Sequence, residues 1–88
     1  EDPFDMIFLD AAKKMYPRLF PLLLKRLAPG GIWLTDDVFL EMARFPAHIR
    51  GINQALRRFN SLVYKEESLQ SVMIPLSHGL LLCRKKES

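Results

Sequence analysis

The stretch FDMIFLDAAKKMYP, residues 4–17, decides the fold, because a continuous apolar run stops abruptly at an acidic residue. Residues 6–9 are apolar at every position, which is typical of a parallel-sheet strand that is covered on both faces. Asp10 follows directly, and ligands bind beyond the carboxyl ends of the strands in open α/β sheets. Asp10 is therefore a candidate functional residue, although an aspartate that caps the next helix would look the same.

A helix and a second strand follow this stretch. Apolar residues at helical spacing predict one buried helix face over residues 17–27, namely Phe20, Leu23, Leu24 and Leu27. The Pro-Gly-Gly run at residues 29–31 is a stop signal for that helix. A second apolar strand is predicted over residues 32–35, and it ends at Asp36 and Asp37. A strand, a helix and a strand joined by short links form a βαβ unit, in which the two strands are parallel.

The rest of the sequence predicts a second helix and a hairpin. From Pro46, a helix is predicted that is expected to fray near residues 60–61, with apolar residues at intervals of three and four: Ile49, Ile52, Leu56, Phe59 and Val63. Residues 69–76 predict a strand, in which Pro75 indicates an edge position or a strand end. After a short turn, residues 80–84 predict the returning antiparallel strand. The expected fold class is α/β, with a sheet that begins parallel and ends in an antiparallel hairpin.

The composition limits the chain to one small domain of 88 residues, 49% of them hydrophobic. No apolar run is long enough to span a membrane and no signal-peptide pattern is present, so we expect no membrane partner. Cys83, the single cysteine, cannot form an internal disulfide. This fits a reducing compartment, and we expect a cytoplasmic protein in which Cys83 is a small buried apolar residue. The net charge of +3 permits an anionic partner without requiring one.

Carboxylates follow both of the predicted parallel strands. Asp10 ends the first strand, and Asp36 and Asp37 end the second. Neighbouring strands lie roughly 5 Å apart, so these side chains can meet at one rim of the sheet. Clustered carboxylates repel one another unless a cation or protons intervene, and an oxygen-only set suits a hard divalent cation such as Mg²⁺ or Ca²⁺. The alternative is that each aspartate caps a helix or a turn.

Other residues near this rim are weaker candidates. Lys13 could act as a general base if burial lowered its pKa, could hold a substrate oxygen, or could be a solvated surface lysine. Tyr16 could stack on a substrate ring or pack at the start of the helix. His48 and His78 lack metal-ligand spacing with another His or with Cys. No phosphate-binding glycine pattern is present in the sequence.

Four stretches together resemble a known family: FDMIFLDAAKKMYP, LLLKRLAPGGIWLTDDV, HIRGINQALRRFN and IPLSHGLLLCRKK. They are similar to the C-terminal half of a class I S-adenosylmethionine-dependent O-methyltransferase of the cation-dependent group, which includes catechol and caffeoyl-CoA O-methyltransferases. The D-A-x-K-x-x-Y and P-G-G…D-[N/D]-V patterns are the most specific parts. The resemblance implies that residues 1–88 form one partial domain of a Rossmann-like fold, with the last strand inserted between the two strands that precede it.

The resemblance also implies roles for individual residues. Asp10, Asp36 and Asp37 would hold a divalent cation, and Asp37 stands where the family has asparagine, which could tighten Mg²⁺ binding or change the preferred metal. Asp10 would also contact the cofactor. Lys13 would deprotonate or orient a substrate hydroxyl that the cation acidifies, and Tyr16 would contact the substrate.

The family further implies that S-adenosylmethionine binds mainly to a first half of the domain that these residues do not contain. The first strand would then have an unpaired edge, which invites pairing with another chain. We therefore expect the isolated chain to be inactive, and to form a homodimer or to pair with the N-terminal half.

Three functions remain open from the sequence. The first is methylation of a hydroxyl on a small molecule. The second is methylation of 5-hydroxyuridine in tRNA, because the D-A-A-K stretch and the basic residues Arg50, Arg57 and Arg58 resemble that branch of the family. The third is a non-catalytic interaction module, in which the carboxylates are caps and the hairpin is a docking surface.

Overall fold

The computed structural model describes residues 2–36, 38, 47–76 and 79–87. A 3₁₀ turn at Lys13–Met15 precedes the first helix. The main elements in chain order are β1 (Phe4–Leu9), α1 (Tyr16–Arg26), β2 (Leu27–Asp36), α2 (Ala47–Lys65), β3 (Leu69–Ile74) and β4 (Leu80–Lys85).

The strands form one mixed sheet in the order β1-β2-β4-β3. β1 and β2 are parallel, whereas β4 is antiparallel to both β2 and β3. This confirms the predicted βαβ unit followed by a hairpin. It also confirms that the last strand lies between the two strands that precede it. β3 is an edge strand, which accommodates Pro75 directly after its last residue.

The start of β2 differs from the prediction. The strand begins at Leu27, opposite Phe4, and the regular register resumes at Ile32 opposite Met6. The helix ends at Arg26, before the Pro-Gly-Gly run, and this run lies inside an irregular strand rather than acting as the predicted stop signal. Gly30 has a φ of 79°, a conformation that residues with a side chain rarely adopt, and it lets the strand bulge without losing its partner.

The second helix is longer than predicted. We expected α2 to fray near residues 60–61, but it continues to Lys65. The physical reason is Val63, which is buried in the core and extends the apolar stripe of the helix by another turn.

Four aromatic rings join the helices to the sheet. Phe59 of α2 has its ring centroid 5.3 Å from that of Tyr16, 6.1 Å from that of Phe20 and 6.2 Å from that of Trp33. The rings of Phe20 and Trp33 are stacked at 5.7 Å. All four side chains are buried, so this cluster anchors α1 and α2 on one face of the sheet.

A lysine connects the last strand to the end of the first helix. Lys85 Nζ donates hydrogen bonds to the carbonyl oxygens of Leu24 at 3.1 Å and Leu27 at 2.9 Å. Carbonyl groups at a helix C-terminus lack partners within the helix, and a cation there is favourable. The contact therefore ties β4 to the point where α1 becomes β2.

The opposite face of the sheet carries apolar side chains that no described element covers. We call it the uncovered face, and it comprises Met6, Phe8, Ile32, Leu34, Val72 and Leu82. Met6, Phe8 and Val72 are each more than half exposed. The apolar run of β1 predicted a strand covered on both faces, and within the described residues only the face toward the helices is covered. Neither described helix combines the length and the apolarity needed to cross a membrane.

Candidate functional site

Asp10 and Asp36 lie side by side at one rim of the sheet. The last aligned pair of β1 and β2 is Leu9 with Thr35; Asp10 directly follows β1, and Asp36 is the last residue of β2. Adjacent strands are spaced at about 5 Å, so the two carboxylates leave the sheet as neighbours. Asp10 is exposed and Asp36 is partly buried. The structure thus brings together two of the three aspartates predicted to bind a metal, and Asp37 lies outside the described residues.

The donor chemistry of this rim fits a hard divalent cation. Within the described ranges, no group of three or more His, Cys, Asp or Glu side chains is placed to share a metal ion. Asp10 and Asp36 nevertheless offer carboxylate oxygens, which are the ligands that Mg²⁺ and Ca²⁺ take. These cations also keep water or substrate oxygens as ligands, so two protein carboxylates can be enough to bind one.

Lys13 stands beside the rim in the 3₁₀ turn that follows β1. The turn is closed by a hydrogen bond of 2.8 Å from the backbone N–H of Met15 to the carbonyl oxygen of Ala12. The Lys13 ammonium lies 5.7 Å from the centre of the Tyr16 ring, within the range of a cation–π interaction. The side chain is partly buried, and the contact that fixes its ammonium is the one with the Tyr16 ring.

Tyr16 packs in the core and contacts the end of β1, next to the rim. Its side chain is fully buried with the ring against Phe59, and its hydroxyl donates to the carbonyl oxygen of Leu9 at 3.5 Å. Leu9 directly precedes Asp10, so this contact holds the end of β1. The burial favours the packing interpretation of Tyr16 over stacking on a substrate ring.

The chain that leaves β2 is held by a contact that the sequence did not predict. The backbone N–H of Val38 donates to the carbonyl oxygen of Gly79 at 3.2 Å. The carbonyl oxygen of Val38 accepts a hydrogen bond of 3.1 Å from Asn60 Nδ2. The Val38 side chain is buried. The only signal for Asn60 was its position beside Phe59 in the apolar stripe of a helix that was expected to fray there.

A basic groove lies between α1 and the first part of α2. It has a volume of about 470 Å³, and its lining includes Lys14, Arg18 and Arg58. These three cations form no ion pair with any residue that the structure describes. Of the arginines noted from the sequence, Arg58 lines this groove. Arg57 is exposed elsewhere on α2, and the side chain of Arg50 lies outside the described residues.

Cys83 is a core residue and not a nucleophile. It lies in β4, is 1% exposed, and burial raises the pKa of its thiol from the ordinary 9.0 to about 11. The thiol therefore stays protonated near neutral pH and lacks the thiolate that nucleophilic chemistry requires. The side chain of His48 and all of His78 lie outside the described residues.

Comparisons with known proteins agree on one family. The family model described as O-methyltransferase matches residues 1–86. Tapetum-specific methyltransferase 1 of Arabidopsis thaliana is 30% identical over 88 residues, covering 93% of this chain and 38% of the relative. Probable caffeoyl-CoA O-methyltransferase 3 of Dictyostelium discoideum is also 30% identical, with 94% of this chain and 39% of the relative covered.

A solved structure gives the same result. The O-methyltransferase TomG from Streptomyces achromogenes, in complex with SAM, superposes with a TM-score of 0.81 at 29% identity. The superposition covers 98% of this chain and 41% of TomG. The chain therefore spans about two fifths of the length of the proteins that it matches.

We predict that Cys83 resists alkylation in the folded protein at pH 8. A thiol pKa raised from 9.0 to about 11 lowers the thiolate fraction about 100-fold, and burial blocks access as well. Iodoacetamide labelling followed by mass spectrometry should show modification only after urea is added. Equal labelling rates in the folded and unfolded protein would contradict the buried position.

The raised pKa of the Cys83 thiol also makes the stability of the protein depend on pH. The thiol pKa is 9.0 in the unfolded chain and about 11 in the folded protein. The contribution of Cys83 to the free energy of unfolding is therefore complete below pH 9 and is lost as the pH rises from 9 to 11. The urea midpoint of the wild type should fall more over that interval than the midpoint of Cys83→Val, which has no titrating group.

Proposed function

Because the chain belongs to the O-methyltransferase family, we propose that it forms part of an enzyme that methylates a metal-chelated hydroxyl of a small molecule, with S-adenosylmethionine as donor. The observation that carries this proposal is the rim, where Asp10 and Asp36 leave adjacent parallel strands beside Lys13. Relatives named as caffeoyl-CoA O-methyltransferases support a small hydroxylated substrate.

The residues of the rim have distinct proposed tasks. Asp10 and Asp36 would hold a divalent cation, which lowers the pKa of a coordinated hydroxyl when it is bound. Lys13 would orient the substrate hydroxyl and, as a neutral amine, would take its proton to become the ammonium that lies near the Tyr16 ring. Tyr16 supports the Lys13 ammonium and the end of β1. Transfer of a methyl group requires the two reactants to be held in line, so this positioning accounts for much of the expected rate gain.

The rest of a methyltransferase domain is the proposed occupant of the uncovered face. Two observations support this choice: β1 pairs with β2 alone among the described strands, and the matched relatives are more than twice as long as the chain. In this proposal the additional residues pair with the free edge of β1, cover Met6 and Phe8, and provide most of the S-adenosylmethionine site. A protein that contains both parts is called the complete enzyme below.

The other two functions gain little from the comparisons. The relatives and the structure named above are methyltransferases, which disfavours a non-catalytic module. None of the three is described as acting on tRNA, so the basic residues of α2 do not by themselves favour a nucleic-acid substrate.

We predict that the 88-residue chain alone does not release S-adenosylhomocysteine from S-adenosylmethionine and a catechol, whereas the complete enzyme does. The double variant Met6→Ser, Phe8→Ser should weaken association with the added part, because it places hydroxyls in an apolar contact. Leu22→Ser is the matched control, since Leu22 is equally exposed but lies on α1. Turnover by the isolated chain would overturn the proposed occupant. So would an isolated chain that has the mass of a dimer in the wild type and in Leu22→Ser but the mass of a monomer in the double variant.

We predict that Asp10→Asn and Asp36→Asn each weaken Mn²⁺ binding to the complete enzyme by at least about 10-fold, because each removes a charged oxygen ligand. Asp5→Asn is the control, as it removes the same charge from an exposed position on β1. Electron paramagnetic resonance of free Mn²⁺ measures the affinity without turnover. An equal loss in all three variants would contradict a site at the rim.

We predict that Lys13→Met lowers kcat of the complete enzyme about 100-fold or more, which is typical for the loss of a proton-transferring side chain. The apolar methionine keeps the contact with the Tyr16 ring, so Mn²⁺ affinity should change little. Lys14→Met is the neighbouring control and should keep kcat near the wild-type value. Equal kcat losses in the two variants would remove Lys13 from the proposed chemistry.

A further inference from the structure

We infer that Asn60 is a positioning residue for the metal site, because its amide holds the chain immediately beyond Asp36. The inference rests on the proposed function, since it assigns a task to α2 in the same site. The hydrogen bond of Asn60 goes to the backbone of Val38, so its effect on the rim is transmitted through the backbone.

The backbone beyond Asp36 is held from two sides. Asp36 is paired with Leu80 in the β2–β4 ladder, and the N–H of Val38 continues this attachment by donating to Gly79. On the other side, Asn60 Nδ2 donates to the carbonyl oxygen of Val38 at 3.1 Å. Both hydrogen-bonding groups of the Val38 backbone are therefore occupied, one by β4 and one by α2.

The contact is specific for an amide at this position. A carbonyl oxygen only accepts hydrogen bonds, so the group that faces Val38 must be a donor. Aspartate has the shape of asparagine, but it would set a carboxylate oxygen against the carbonyl oxygen. Leucine has a similar volume and offers no polar group at all.

The other half of the amide shows that burial alone does not explain Asn60. Asn60 Oδ1 is buried and has no hydrogen-bond partner among the described residues. Leaving a buried acceptor unpaired is unfavourable, and an apolar side chain would avoid that cost. The amide at this position is therefore explained by the hydrogen bond that its nitrogen donates to the carbonyl oxygen of Val38.

The helix that carries Asn60 cannot shift without breaking the core. Phe59, the preceding residue, is fully buried among the rings of Tyr16, Phe20 and Trp33. The position of the amide is thus set by the same cluster that supports the rim through Tyr16. Groups that orient metal ligands from outside the coordination sphere typically change metal affinity 10–100-fold when they are removed.

The test compares Asn60→Asp with Asn53→Asp in the complete enzyme. Asn53 lies on the same helix seven residues earlier, so it faces the same side and receives the same change of charge. We expect Asn60→Asp to raise the Mn²⁺ dissociation constant 10–100-fold, and Asn53→Asp to leave it near the wild-type value. Saturating Mn²⁺ should restore most of the kcat of Asn60→Asp, which a general loss of structure would not allow.

A second readout needs neither metal nor turnover. Amide hydrogen exchange should be faster at Val38 in Asn60→Asp than in the wild type, and unchanged at Val38 in Asn53→Asp. If Asn60→Asp does not fold, Asn60→Leu serves instead, because it removes the donor without burying a charge. It should show the same loss of Mn²⁺ affinity.

The outcomes separate this inference from the proposed function. If the wild type binds Mn²⁺ and a folded Asn60 variant binds it equally tightly, or if exchange at Val38 is unchanged, the inference is overturned and the proposed metal site stands. If the wild type binds no Mn²⁺ or Mg²⁺, the proposed metal site and the inference both fail.

Discussion

The parallel register of β1 against β2 determines where every candidate functional group lies. Leu9 is opposite Thr35, so the residues that come next, Asp10 and Asp36, are neighbours along the rim of the sheet. Side chains alternate along a strand, and a slip of one residue would turn the buried side of β1 outward. The burial of Ile7 and Leu9 beneath the helices therefore protects the register, and with it the spacing of the two carboxylates.

The aromatic cluster gives this register its support. Phe59 connects α2 to Tyr16, and the Tyr16 hydroxyl reaches the carbonyl oxygen of Leu9 at the end of β1. The next residue of α2, Asn60, reaches Val38 beyond the end of β2. Both sides of the rim thus depend on one turn of one helix, which explains how a buried apolar core can control the geometry of polar groups at an edge of the sheet.

Much of this arrangement was predictable from local patterns. The apolar run before Asp10, the helical spacing from Phe20 and the alternation after Leu69 were enough for the βαβ unit and the hairpin. The insertion of β4 between β2 and β3 came only from the resemblance to a family, because strand order is a long-range property.

The remaining features depend on contacts between distant residues. No local pattern showed that Leu27 would pair with Phe4 or that Asn60 would bond to Val38, whereas Val63 already belonged to the apolar stripe that the spacing predicted for α2. Tyr16 shows the same limit, since its spacing allowed either substrate contact or packing and only the assembled core distinguishes them. The third aspartate of the candidate site, Asp37, remains a prediction.

The strand order also constrains when the sheet can assemble. β3 is made before β4 but has no partner until β4 arrives, because β4 separates it from β2. During synthesis β1, α1 and β2 can associate early, whereas β3 and the free side of β2 must wait for the last strand. Such non-local pairing slows folding and leaves apolar strand edges open for longer. Lys85 at the end of β4 also reaches the carbonyl groups at the end of α1, so a nascent chain that stops before β4 lacks both the inner strand of the hairpin and the contact that ties it to the first helix.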